Sequence, residues 1–303
     1  MRKRALDTVF KLAKQDPRII FIGSDLGVGT LDSMKRDLPN QFFMEGISEQ
    51  HLIGFAAGLA KEGFIPYLNT IANFFTRRAL EQLILDVALH QLPVKILASG
   101  GGMVYAPLGP THTATDDLAH LLSIPNFNVY APCDADEMED LITLDAQSGQ
   151  PSYFRFGKGG EEIVSSELQL SKKGDFKFIG SNEAPIALVT TGITLQICKS
   201  VYESFPLQTN LQIIHLPKLN VRKSQELLET LRNKARVVVI EEHQEYGGLL
   251  TQILHLLHFG KYYNCETESI SLGNNFIRKY GSQVDHLNFF NITKEKITER
   301  LVI

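Results

Sequence analysis

Residues 45–60 read EGISEQHLIGFAAGLA, and how this stretch folds decides the architecture. Gly46 permits a tight turn. After it, apolar residues recur at three- and four-residue spacings, which predicts a helix over residues 47–61. Glu49 falls in its first turn, where the helix dipole favours a carboxylate. By its own chemistry this is an ordinary strand-to-helix turn with an N-terminal acid, and its glycine-rich helix is expected to lie tightly on a sheet.

The same rhythm extends outward. Residues 18–23 (RIIFIG) form a buried strand ending at glycine, and residues 64–69 form the next strand. A long helix is expected over 73–91 with Asn73 as its N-cap, then strands over 94–99, 128–131 and 151–156. Asp134 should cap a helix over 134–146. Strands alternating with helices predict an α/β fold whose mainly parallel sheet is covered on both faces. The rhythm breaks over residues 159–182, where KGGEE, SSE and SKKGD read as a linker that can add an edge strand. It resumes over 183–303 with strands at 185–191, 211–216 and 235–241 and helices at 195–203, 223–233 and 247–258. Two doubly wound domains follow, 1–158 and 183–303.

Composition narrows the function classes. The chain has 303 residues, 44% of them hydrophobic and 21% charged, which is material for two packed cores. A formal net charge of −4 carries no basic footprint for nucleic acid. Cys133, Cys198 and Cys265 form no CxxC pair, so neither a zinc site nor a disulfide framework is expected, and a reducing cytoplasmic setting fits. The basic N-terminal stretch reads as an amphipathic helix rather than a signal peptide, and no run is long enough to span a membrane.

The 45–60 stretch resembles the glutamate motif of the transketolase family, which includes deoxyxylulose-phosphate synthases and the beta subunits of 2-oxo acid dehydrogenases. The resemblance implies that Glu49 bonds a ring nitrogen of the aminopyrimidine of thiamine diphosphate and thereby activates the cofactor. Four further segments match. In residues 70–82, TIANFFTRRALEQ, the resemblance makes Phe74 the ring that stacks on the pyrimidine and Arg77 a neighbouring cofactor residue. Transketolases proper often carry further aromatics at the places of Ile71 and Arg77, so Phe-x-x-Arg is closer to the deoxyxylulose-phosphate synthases or to the transketolase-like side of the family. Gly23-Ser24-Asp25-Leu26-Gly27 ends the first strand, where open α/β sheets bind ligands, and the resemblance sets Asp25 near the thiazolium. By its own chemistry Asp25 is equally a turn residue.

Gly109-Pro110-Thr111-His112 is similar to the GPTH of transketolases, which implies that His112 faces the sugar substrate and moves its protons. The pattern departs at Leu108, where transketolases carry an acid, and within residues 100–102, where a substrate histidine is replaced. Arg155-Phe156-Gly157-Lys158 resembles the segment that holds the substrate's phosphate, with Lys158 the nearest match and Arg155 beside it. Residues 183–303 resemble the family's C-terminal domain, in which His243 reads as structural.

The family holds magnesium and diphosphate on a Gly-Asp-Gly motif, and none occurs in this chain. The expectation is therefore the C-terminal section of a split, transketolase-like enzyme that transfers a two-carbon ketol unit between sugar phosphates. Its Mg2+ ligands would lie on a separate N-terminal-section subunit, and the chain itself would form a homodimer. The alternatives are a 2-oxo acid dehydrogenase beta subunit, a deoxyxylulose-phosphate-synthase-like enzyme, and a non-catalytic dimerising scaffold.

Overall fold

The computed structural model describes residues 1–24, 31–262 and 264–302. Two six-stranded sheets organise it, the first in the order β2-β1-β3-β4-β6-β5 and the second in the order β12-β11-β9-β10-β8-β7. In the first sheet β1 is Ile19–Gly23, β2 Phe42–Met44, β3 Ile65–Ile71, β4 Lys95–Ser99, β5 Asn128–Tyr130 and β6 Ser152–Phe156. All of its pairings are parallel. Strands β1, β3, β4 and β6 are buried end to end, as a sheet covered on both faces requires. Helix Arg2–Gln15 covers one face with helix Ala135–Asp145, and helix Glu49–Lys61 covers the other.

The second sheet comprises β7 Gln169–Leu170, β8 Lys177–Ile179, β9 Ile186–Thr190, β10 Leu211–His215, β11 Arg236–Ile240 and β12 Glu266–Ile270. Its four main strands are parallel, whereas β8 runs antiparallel to β10 and β7 antiparallel to β8. The predicted linker therefore adds two strands at one side of the second sheet, with β7 at its edge, turning at Gly174 with φ +78°.

Three local expectations are corrected. The single long helix over 73–91 is broken into π-turns at Phe74–Arg78 and Leu83–Ala88, with Leu80–Gln82 between them. The break is at Ala79, φ −119° and ψ 21°. Asn73 does not cap it: its Nδ2 donates 2.5 Å to the Thr111 carbonyl. In helix Glu49–Lys61, Leu52, Ile53, Ala56, Ala57 and Ala60 face the sheet, while Gly54 and Gly58 turn outward. Strands β2 and β12 and helices Gln283–Phe289 and Lys294–Val302 have too short or too polar a pattern to be read from sequence. Asp134 does cap its helix, accepting from Asp136 and Glu137 N–H at 3.1 and 2.9 Å.

Buried polar groups join the domains. Glu137 accepts from His215 Nε2 at 2.8 Å and pairs with Lys177 at 2.9 Å. Burial works to raise its carboxyl, but His215 and Lys177 outweigh it and hold the group far below the usual range. Arg155 pairs with Asp117 at 3.0 Å and donates to the carbonyls of Ala114 and Glu242 at 3.1 and 2.6 Å. Burial works to lower the guanidinium's pKa, but the Asp117 and Glu242 carboxylates outweigh it and raise it. Among the described residues no helix is long and apolar enough to cross a membrane.

Candidate active site

The site lies at the carboxyl ends of β1 and β3, where a parallel sheet leaves its loops free to diverge. Chain entry to it is set by Gly46, whose φ of +75° carries the backbone from β2 into helix Glu49–Lys61. The turn points Glu49 inward, and the residue is 1% exposed. One carboxylate oxygen, Oε2, accepts from Arg78 Nη1 at 2.6 Å. The other, Oε1, is buried and has no hydrogen-bond partner among the described residues. A buried orphan oxygen is costly unless a partner completes it.

Phe74 lies at the first π-turn, half-buried, and is linked to this carboxylate through Arg78. The Arg78 guanidinium carbon lies 4.4 Å from its ring centroid, and the His112 ring meets it at 5.3 Å and 64°. His112 Nδ1 is 2.9 Å from Thr111 Oγ1. The loop that carries His112 turns at Gly109, φ +79°, and is pinned by Arg77, which donates to Asp116 at 2.8 to 3.1 Å and to the Pro110 carbonyl at 3.1 Å. Leu108 is exposed on the short 3-10 turn before it.

The structure thus gathers Glu49, Phe74 and His112. It directs Arg77 to the histidine's loop and Arg78 to Glu49 and Phe74. Arg78 was missed in the sequence because Phe-x-x-Arg selects the residue three positions after Phe74. The residue four positions on is the one that stands over the ring. Lys158 is exposed just beyond β6. Arg155, by contrast, is 6% exposed and spends its donors on protein groups, away from solvent. The position of Asp25 lies outside the described residues.

In the second domain, Glu241 accepts from the N–H groups of Leu249 and Leu250 at 2.7 and 3.0 Å. Burial nevertheless pushes its carboxyl up to about 7, against those two N–H groups and Arg155. Burial likewise pulls His243 down to about 4, and its Nε2 accepts from the Ala119 N–H at 3.3 Å. This bond ties the two domains together, a structural part for His243.

An orphan carboxylate oxygen beside a half-buried aromatic face suits a flat ring bearing a nitrogen to share a proton. Residues 1–160 match the transketolase pyrimidine-binding domain. The chain belongs to the transketolase family. It is 31% identical to one of the subunits of the apulose-4-phosphate transketolase of Phocaeicola vulgatus, over 82% of this chain and 80% of that protein. It is 29% identical to 1-deoxy-D-xylulose-5-phosphate synthase of Syntrophus aciditrophicus over 96% of its own length, but spans only 45% of the synthase. Among solved structures it matches a split gene transketolase, described as an inactive beta4 tetramer, with TM-score 0.82, 25% identity and coverage of 98% and 95% of the two chains. It shares the fold of Campylobacter jejuni transketolase at TM-score 0.81 and 19% identity, covering 46% of that longer chain.

Proposed function

We propose that this chain is the pyrimidine-binding part of a thiamine-diphosphate-dependent, transketolase-like enzyme that moves a two-carbon ketol unit between sugar phosphates. The observation that carries the reading is the pairing of buried Glu49, one oxygen orphaned, with the Phe74 ring. When bound, the cofactor would supply the carbon nucleophile. In this scheme Glu49 shares a proton with its aminopyrimidine nitrogen, Phe74 presents a flat apolar face, and Arg77 keeps the 109–116 loop in place. His112, held on that loop, passes protons to and from substrate hydroxyls. Asp25 is proposed to lie towards the thiazolium. Lys158 is exposed where an incoming phosphate could meet it, whereas Arg155 supports the site from beneath.

The diphosphate and Mg2+ would be held by a separate subunit, since this chain has no Gly-Asp-Gly. The Phocaeicola relative, itself named as a subunit, and the split-gene structure support a two-part enzyme. The same chain would pair with its own copy in the cytoplasm. Outward-facing Gly54 and Gly58, with exposed Ile47 and Leu85 on the neighbouring helical turns, would let two helices approach closely. The synthase matches keep a second reading open, in which the donor is a 2-oxo acid rather than a ketose phosphate.

Isothermal titration with thiamine diphosphate and Mg2+ tests the division of labour. Binding should appear only when the N-terminal-section subunit is added. A ring stack and one carboxyl hydrogen bond contribute only about 2 kcal/mol, far short of the roughly 8 kcal/mol that micromolar affinity needs. Tight Mg2+-dependent binding to this chain alone would refute the split assembly. Turnover of ketose phosphates against pyruvate by the complex then separates the two reactions.

A further inference from the structure

Resting on that reading, we propose that Arg78 is a gate on the pyrimidine site: its guanidinium fills the slot between Phe74 and Glu49 and must swing outward before an aminopyrimidine can enter. A guanidinium and an aminopyrimidine are both flat, both present in-plane N–H donors, and both stack on aromatic rings. Arg78 already makes each contact the ligand would make. Its carbon is 4.4 Å from the Phe74 centroid, and its Nη1 donates 2.6 Å to Glu49 Oε2. The side of Phe74 met by His112 is no substitute, because the imidazole approaches it at 5.3 Å.

The two consecutive arginines are built for different mobilities. Among the described residues, Arg77 makes four hydrogen bonds, three to the Asp116 carboxylate and one to Pro110. Arg78 has one, to Glu49, and its side chain is 47% exposed against 0% for Glu49. Water is thus available to the guanidinium at the far end of its swing, whereas the Glu49 carboxylate is left to the incoming ring. The backbone leaves helical geometry at the same place. Arg78 ends a π-turn and Ala79 leaves the helical region altogether; such insertions concentrate at functional sites. A gate of this kind keeps a buried carboxylate paired in the free chain and yields it to the cofactor.

The test uses the purified full chain and a neutral probe, 4-amino-5-hydroxymethyl-2-methylpyrimidine, titrated to roughly 50 mM, the range that about 2 kcal/mol of contact energy requires, and followed by amide NMR shifts. Being uncharged, the probe separates competition for the slot from repulsion between cations. Arg78→Met keeps the apolar stem and removes the guanidinium. It should bind the probe about tenfold more tightly than wild type, the worth of one charge-assisted hydrogen bond, with shifts at residues 46–49 and 74. Arg78→Lys should fall between the two, because an ammonium pairs with the carboxylate but stacks poorly. Adding Glu49→Gln to Arg78→Met should remove most of the gain. Equal or weaker binding by the Arg78→Met chain, or no binding by it at all, overturns the gate. The cofactor reading fails separately: it falls only if the wild-type complex with its partner takes up no thiamine diphosphate. Thermal melts establish that each variant is folded, and Arg78→Lys carries the comparison if Arg78→Met is not.

Discussion

Replacing Arg155 with methionine separates a structural role from a phosphate-binding one. The guanidinium lies 3.0 Å from Asp117, which is itself fully buried, and it donates to the carbonyls of Ala114 and Glu242. Methionine fills the volume but leaves the Asp117 carboxylate with Tyr153 Oη, at 2.7 Å, as its remaining donor among the described residues. Breaking a buried pair by removing one partner costs about 3 to 5 kcal/mol, because the other charge stays buried and uncompensated. That is a large share of the roughly 5 to 15 kcal/mol by which a domain is stable. Urea unfolding followed by circular dichroism should therefore show the Arg155→Met midpoint falling sharply. Adding Asp117→Asn should recover part of the loss, since it removes the stranded charge. In the assembled enzyme the KM for a sugar phosphate should rise far less than for Lys158→Met. Arg155→Met stability within about 1 kcal/mol of wild type, together with a raised KM, would refute the structural assignment and return Arg155 to the substrate.

Three further outcomes are expected. Glu49→Gln in the assembled enzyme should slow exchange of the thiazolium proton by about two to four orders of magnitude while the fold stays intact, and near-normal exchange would remove Glu49 from the chemistry. Phe74→Ala should weaken cofactor binding by roughly 1 kcal/mol through lost stacking, read by calorimetry on the complex, and an unchanged dissociation constant would make Phe74 only a packing residue. The third outcome concerns pH. With His243 lowered to about 4, its contribution to stability is present above the unfolded value of 6.5 and is lost as pH falls towards 4. With Glu241 raised to about 7, its contribution is present below the unfolded value of 4.5 and is lost as pH rises through 7. The slopes oppose each other between these limits, each spanning about 3 kcal/mol. Relative to wild type, His243→Gln should make stability fall more steeply with pH between 4.5 and 6.5, and Glu241→Gln should make it fall less or rise, with the raised Glu242 carboxyl common to all three chains. Profiles parallel to wild type in both variants would show that neither group is shifted.

Periodicity and punctuation made most of the architecture legible, since they record local rules. Buried apolar runs such as IIFIG and the Asp134 cap act over a few residues, so a strand and a helix start can be read where they stand. The run EGISEQHLIGFAAGLA likewise carries its turn, its acid and its inward face in its own order. Edge elements escaped for the converse reason. β12 is Glu-Thr-Glu-Ser-Ile, a polar pattern made a strand only by its pairing with β11.

The chemistry at the site divides the same way. Glu49, Phe74 and His112 could be named one by one from motifs, but their meeting depends on contacts across 25 to 63 positions of chain, which only the packed sheet supplies. The same holds for the arginines. Sequence singles out Arg77 through Phe-x-x-Arg, passes over Arg78, and sets Arg155 beside Lys158 as a phosphate residue. Tertiary structure gives Arg77 to a loop, Arg78 to the carboxylate, and Arg155 to the seam between two domains. Such assignments follow from burial and from which carboxylates lie within hydrogen-bond reach, and both are set by the whole fold rather than by any residue's neighbours in the chain.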